Sequence, residues 1–163
     1  MSLERARQWL ARYGLEGRIR EFEVSSATVE LAAQALGCEP SHIAKTLSFA
    51  MGEGCILVVA AGDARVDNAK FKACFGLKAK MLPADAVEPL VGHGVGGVCP
   101  FGVSEGVRVY LDESLRRFET VYPAAGTAAS AVRLALPELE AASGSLGWVD
   151  VCKGWQGAAP ANA

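Results

Sequence analysis

Apolar positions recur at three to four residue spacing near the start of the chain, at Leu3, Ala6, Trp9 or Leu10 and Tyr13, and Gly14 follows as a stop. That spacing predicts a first helix. From Arg18 to Val24 the pattern changes to alternation, with Ile19, Phe22 and Val24 set among charges, as in a strand. Ser25, Ser26 and Thr28 offer N-caps to a helix written TVELAAQALG, which Gly37 ends. Pro40 opens a short helical turn that carries His42. Two apolar runs, Ile43 to Ala50 and Cys55 to Ala61, are joined by Gly52-Glu53-Gly54, the spacing and turn chemistry of a β-hairpin.

The second half is more broken. Asn68 to Phe75 reads as a helix ended by Gly76, and Lys78 to Leu82 as a short strand. Pro83 starts the helix PADAVEPLVG, in the first turn where a missing N–H costs nothing. Strands are expected at Val107 to Leu111, Thr120 to Pro123 and Ala131 to Leu134, with a short helix at Ser114 to Phe118 and a turn at residues 124–127. A helix from Pro137 to Ala142 and a strand in GWVDVCK close the pattern, and residues 157–163 read as a flexible tail of small residues. The expected fold is α+β: one domain over residues 1–156, with a mixed, mostly antiparallel sheet, curled or closed toward a barrel and packed with helices.

A length of 163 residues suits one domain, and 51% hydrophobic with 21% charged residues excludes a disordered chain. The longest strongly apolar run, Cys55 to Ala61, is far shorter than the roughly 20 residues of a membrane helix. Charges within MSLERARQWL argue against a signal peptide, so a cytoplasmic protein without a membrane partner is expected. The 5 cysteines contain no C-x-x-C, and with only 2 histidines a His-rich metal site is excluded; no metal and no cofactor is expected. The net charge of −2 does not advertise nucleic acid binding, although residues 1–20 and 63–80 are locally basic.

Two features could carry chemistry. Residues 92–106, GHGVGGVCPFGVSEG, hold a dense cluster of glycines. Backbone N–H groups left bare by glycine make an anion-binding nest or an oxyanion hole, worth about 2.7–4 kcal/mol per donor. The run is not a P-loop, since no G-K-[ST] follows, nor a dinucleotide fingerprint, since a proline and a strand follow instead of a helix. Lys45 is the second feature: at the head of an apolar strand its ammonium must snorkel or meet an anion. Asp67 is read as a helix cap, Asp112 as a turn or cap residue, and Cys99 as a side chain in the loop that nothing orients toward His93.

The segments TVELAAQALGCEPSHIAKTLSF, GDARVDNAKF, VGGVCPFG, VYLDESL and AAGT occur in this order. Together they resemble the YbaK/EbsC family, the prolyl-tRNA-synthetase-associated domain, across residues 5 to 152. The resemblance implies hydrolysis of mischarged aminoacyl-tRNA, in trans, with the 3′ CCA end as ligand and a prolyl-tRNA synthetase as a further candidate partner. It implies that Lys45 holds phosphate or ribose oxygens near the terminal adenosine. The loop from Gly96 through Gly97, Val98 and Cys99 to Pro100 would clasp the aminoacyl carbonyl and ribose with N–H groups. Phe22 and Thr28, and the turn residues Gly126 and Thr127, are the further implied substrate contacts. Related free-standing members often read G-G-V-P-P-F-G-H, where this chain has Cys99 in the middle and Val103 last. Positions that are polar in the cysteine-removing branch fall on Ala124 and Ala131, which directs the expectation to another small amino acid, on tRNA-Pro or a related tRNA. A non-catalytic tRNA- or synthetase-binding module of the same fold is the alternative.

Overall fold

A computed structural model of the chain describes residues 2–23 and 28–156. Its centre is the hairpin of β2 (Ile43–Met51) and β3 (Gly54–Ala61), paired antiparallel from Ala44↔Ala61 to Met51↔Gly54. Around it a six-stranded mixed sheet runs in the order β8-β6-β2-β3-β5-β9. Its other members are β5 (Arg108–Asp112), β6 (Thr120–Pro123), β8 (Leu134–Ala135) and β9 (Trp148–Val149). β6 lies parallel to β2, and β5 parallel to β3. Parallel neighbours explain why β3 is apolar without alternation: Leu57 to Ala61 are fully buried.

The sheet curls. The Ala124↔Ala131 bridge carries it past β6 into β7 (Ser130–Val132), which pairs with β1 (Ile19–Glu21). A third small sheet joins β4 (Arg65–Val66) to β10 (Cys152–Lys153). The α+β, curled-sheet expectation holds for the described residues.

Helices α1 (Ser2–Ala11), α2 (Val29–Leu36), α3 (Asn68–Phe75), α4 (Ala84–Val91) and α5 (Leu136–Ala142) cover the sheet. Thr28 caps α2 by accepting from the Leu31 N–H, and Asp67 caps α3 by accepting from the Lys70 N–H. Gly37 and Gly76 end these helices in the left-handed region. Phe71 and Phe75 of α3 stack against Phe49 and Tyr110, fixing that helix on the sheet.

Three strand expectations change, and one further strand appears. Residues 78–82 make only the Phe49↔Met81 bridge, held by Ala50 N–H to Lys80 O at 2.8 Å and Leu82 N–H to Ser48 O at 3.1 Å. Pro83, which has no N–H to donate, stops the pairing there. The expected strand at 131–134 breaks at Arg133, because β7 pairs with β1 and β8 with β6. GWVDVCK likewise splits, with β9 on β5 and β10 on β4. The break is made by fully buried Asp112, whose carboxylate accepts from Val151 N–H and Ser114 N–H, both at 2.9 Å. β4 was not expected at all, and exists only because β10 comes back to meet it. Ser25, Ser26, Val24 and the tail at 157–163 lie outside the described residues. Among the described residues no helix is long and apolar enough to cross a membrane.

Candidate functional site

Lys45 projects from β2, opposite Ala60 of β3. Its Nζ donates to Gly62 O at 3.3 Å and to Ala64 O, the carbonyls that follow the end of β3. Burial lowers its pKa, and the neighbouring Cys152, Asp63 and Glu30 oppose that shift while Arg65 adds to it. A half-buried ammonium with two carbonyl partners and spare donor capacity can still take an anionic or carbonyl oxygen.

Lys45 lines a cavity of about 440 Å³. Gly96 and Val98 of the glycine-rich loop line the same cavity, as do Thr28 and Thr127. Two motifs more than fifty residues apart in sequence thus share one cleft. Among the described residues nothing accepts a hydrogen bond from the Gly96 or Val98 N–H. The rest of the wall is largely apolar or small: Val29, Ala32, Leu47, Leu82, Val87, Ala124 and Ala131. Thr46 Oγ1 is buried at this cleft with no partner among the described residues.

Gly97 departs from its expected role. Its N–H is already used, donating to Gly94 O at 3.0 Å, and the residue is absent from the cleft lining. A Cβ on Gly97 would lie 2.5 Å from Gly126 O and 2.6 Å from Thr127 Cα. A Cβ on Gly126, at φ +98, would lie 2.4 Å from Ser2 O. The loop, the 124–127 turn and the start of α1 therefore stack backbone on backbone, and two glycines allow it. Gly126 and Gly97 border a second hollow with Arg5 and Glu88, which shares Val95 and Thr127 with the first cavity.

Cys99 and Pro100 are buried and do not line the cleft. Contrary to expectation, His93 is oriented toward the thiol, with Nε2 3.6 Å from Cys99 Sγ. This is not a catalytic dyad. His93 is fully buried and its Nε2 sits 2.6 Å from Phe101 O, so that nitrogen carries a proton and cannot accept the thiol's. Burial pushes the Cys99 thiol up to about 12. We therefore expect Cys99→Ser to keep activity within about tenfold, and thiol alkylation of the native protein to leave Cys99 unmodified, as read by intact mass. Phe22 lies outside the cleft lining too; its N–H donates to Ala129 O at 2.7 Å.

His93 also predicts an acid limit. Burial lowers its pKa from 6.5, and its Nδ1 has no partner among the described residues. The unfolded chain therefore takes up this proton before the folded one, so the stabilisation is complete above about pH 6.5 and is lost as the pH falls below it. The difference in Tm between about pH 7.5 and about pH 5.5 should shrink in His93→Gln.

Sequence reasoning missed Ser48, Tyr122, Ser130 and Met81 in the cleft wall. Nothing in their local pattern marks them; they meet there because the sheet curls. Val103, where related members often carry histidine, is not among the residues lining the cleft.

A family model described as an aminoacyl-tRNA editing domain matches residues 23–142, which contain Lys45, the glycine-rich loop and the 124–127 turn. The chain belongs to this family. A protein of Bacillus subtilis (strain 168) named "Uncharacterized protein YwhH" is 51% identical over 158 residues, covering 96% of this chain and 100% of that protein. A proline--tRNA ligase of Bacillus cytotoxicus is 31% identical over 88 residues, 53% of this chain but 16% of the ligase. Among solved structures, a candidate trans-editing enzyme for prolyl tRNA synthetase superposes with a TM-score of 0.84 at 31% identity, over 94% of this chain and 98% of that one. The editing domain thus brings with it the expectation of an aminoacyl-tRNA ligand, and a synthetase relation is visible in the ligase segment.

Proposed function

We propose that the protein is a trans-acting deacylase that hydrolyses the ester of a mischarged tRNA, with tRNA-Pro or a related tRNA carrying a small wrong amino acid as substrate. The observation that carries this reading is the shared cleft: Lys45 lines one cavity together with Gly96 and Val98, whose N–H groups have no acceptor among the described residues. An aminoacyl ester is already activated, so orientation and electrostatic stabilisation of the developing oxyanion suffice without a protein nucleophile. Lys45 would hold a phosphate or ribose oxygen of the terminal adenosine. Gly96 and Val98 would donate to the carbonyl as it gains charge, a water oriented by the vicinal ribose hydroxyl would attack it, and the ester oxygen would leave as the ribose hydroxyl with the free amino acid released. Thr127 and Thr28 would contact the ribose and amino acid. Ala124 and Ala131 themselves bring no polar group to the wall, and the Ser130 hydroxyl beside them is already bonded to Thr127, which suits an alanine-like side chain better than a cysteine or serine.

The test is a panel of tRNA-Pro charged with alanine, cysteine, serine or proline, followed for amino acid release. The expected result is rapid release of alanine and sparing of proline. Folded protein that releases none of the four would favour a binding module of the same fold.

A further inference from the structure

The two carbonyls that hold Lys45 flank a single residue. Gly62 and Ala64 accept from Nζ, and Asp63 stands between them. The Asp63 carboxylate is taken by both arms of one guanidinium: Arg117 Nη1 donates to Oδ2 at 2.9 Å and Nη2 to Oδ1 at 2.5 Å. Surface ion pairs contribute little, but only 10% of the Arg117 side chain is exposed, and the pairing is planar and bidentate. Arg117 is itself fixed. Its Nε donates to Ser114 O at 2.9 Å, and its Cζ lies 4.6 Å from the Phe118 ring centroid and 5.1 Å from that of Trp155.

The segment is gripped elsewhere as well. A Cβ on Gly62 would lie 2.0 Å from Pro40 O, so the backbone there is in direct contact with the turn before β2. Immediately after Ala64, β4 pairs with β10 through Arg65↔Lys153 and Val66↔Cys152. Trp155 and β10 come after residue 142, where the family match ends. The supporting shell of the lysine is thus completed by a part of the chain outside that match.

We propose that Arg117 and Asp63 form a positioning pair, closed by Trp155, which fixes the Lys45 ammonium at the cleft through the Gly62 and Ala64 carbonyls. The pair touches no substrate; it acts through the lysine, and its catalytic importance rests on the role given to Lys45 under the proposed function. A swinging lysine would sample many rotamers. A lysine tied to two fixed carbonyls presents its remaining donor capacity in one direction, and misplacing such a group by about 1 Å can cost about a hundredfold in rate. The charged and titratable groups acting on Lys45 are Cys152, Asp63, Glu30 and Arg65.

The experiment uses the full chain labelled with ¹⁵N-lysine, the Lys45 ammonium signal being assigned by its loss in Lys45→Met. The Arg117→Lys and Asp63→Asn variants are compared with the parent by this signal, by amide spectra to check folding, and by release of alanine from mischarged tRNA-Pro. Both variants should move or broaden the Lys45 signal and lower kcat by at least about tenfold, with KM within about threefold. Trp155→Phe, which keeps a ring over the guanidinium, should preserve both. Should an Arg117 or Asp63 variant fail to fold, Trp155→Ala removes one of the two rings beside the guanidinium and should move the same signal. A Lys45 signal unchanged in folded variants overturns the positioning pair, whatever the activity. Undiminished alanine release by Lys45→Met would instead overturn the catalytic reading of Lys45, with the effect on the signal still measurable.

Discussion

Gly97→Ala should lose most deacylase activity and several degrees of thermal stability together. The added methyl would sit 2.5 Å from Gly126 O, 2.6 Å from Gly126 C and 2.6 Å from Thr127 Cα, all of them backbone atoms. No side chain can rotate aside to make room. Nor can Gly126 retreat, because its own Cβ position lies 2.4 Å from Ser2 O at the start of α1. The loop must therefore separate from the turn. Overpacking of this kind costs about 1–3 kcal/mol, or about 2–12 °C in Tm for a chain of this size. Activity should fall more than stability alone explains, because Gly96 and Val98 on the loop and Thr127 on the turn border the cleft and would move apart. Gly96→Ala separates the effects: Gly96 has φ 91, so the methyl brings backbone strain of about 1–2 kcal/mol at the cleft itself. Circular dichroism melts and single-turnover alanine release, measured on the same preparations, would check both.

Lys45→Met should lower deacylation about 30-fold or more, since losing a charged contact to a substrate typically costs about 2–5 kcal/mol. Methionine keeps most of the apolar stem, so the change isolates the ammonium. The structural cost is not zero, as it would be for a solvated lysine at a strand end. Gly62 O and Ala64 O both lose their donor; a hydrogen bond to a charged group contributes about 1.5–3 kcal/mol, which the relief of the half-buried ammonium's desolvation partly offsets, so a fall of several degrees in Tm is expected. A large loss of activity is expected in a protein that still folds and melts cooperatively, with the Tm lowered by several degrees. The opposite pattern would make Lys45 a structural tie for the 62–64 segment and nothing more.

Elements whose signals are local were legible in the sequence. α3 carries its own instructions, with Asp67 as cap and Gly76 as stop, and it forms over residues 68–75 as its pattern predicts. The β2–β3 hairpin is written in two apolar runs and a glycine turn. Elements decided by distant partners were not legible. The split of GWVDVCK depends on Asp112, which takes the Val151 N–H from 39 residues away. β4 depends on β10, and the break at Arg133 on two strands that belong to different sheets. The same division runs through the site. Lys45 and Gly96 stand where their motifs suggested, at one cavity. Gly97 looked like a donor because glycine in a loop has two explanations, a bare N–H and a close approach. The close approach comes from residues 126 and 127, which no local pattern reveals. The contact between His93 and Cys99 was not legible for the same reason, since nothing near either residue in sequence announces it.

In the proposed complex the ester is held between Lys45 and the glycine-rich loop. The most direct test is an NMR titration of the labelled protein with a non-hydrolysable analogue, an adenosine bearing alanine in amide linkage at the ribose 3′ position. Shifts should concentrate at the Lys45 ammonium and at the Gly96, Val98 and Thr127 amides, and be absent or much weakened in Lys45→Met. Shifts confined to the hollow of Arg5 and Glu88, with the Lys45 signal unmoved, would rule it out.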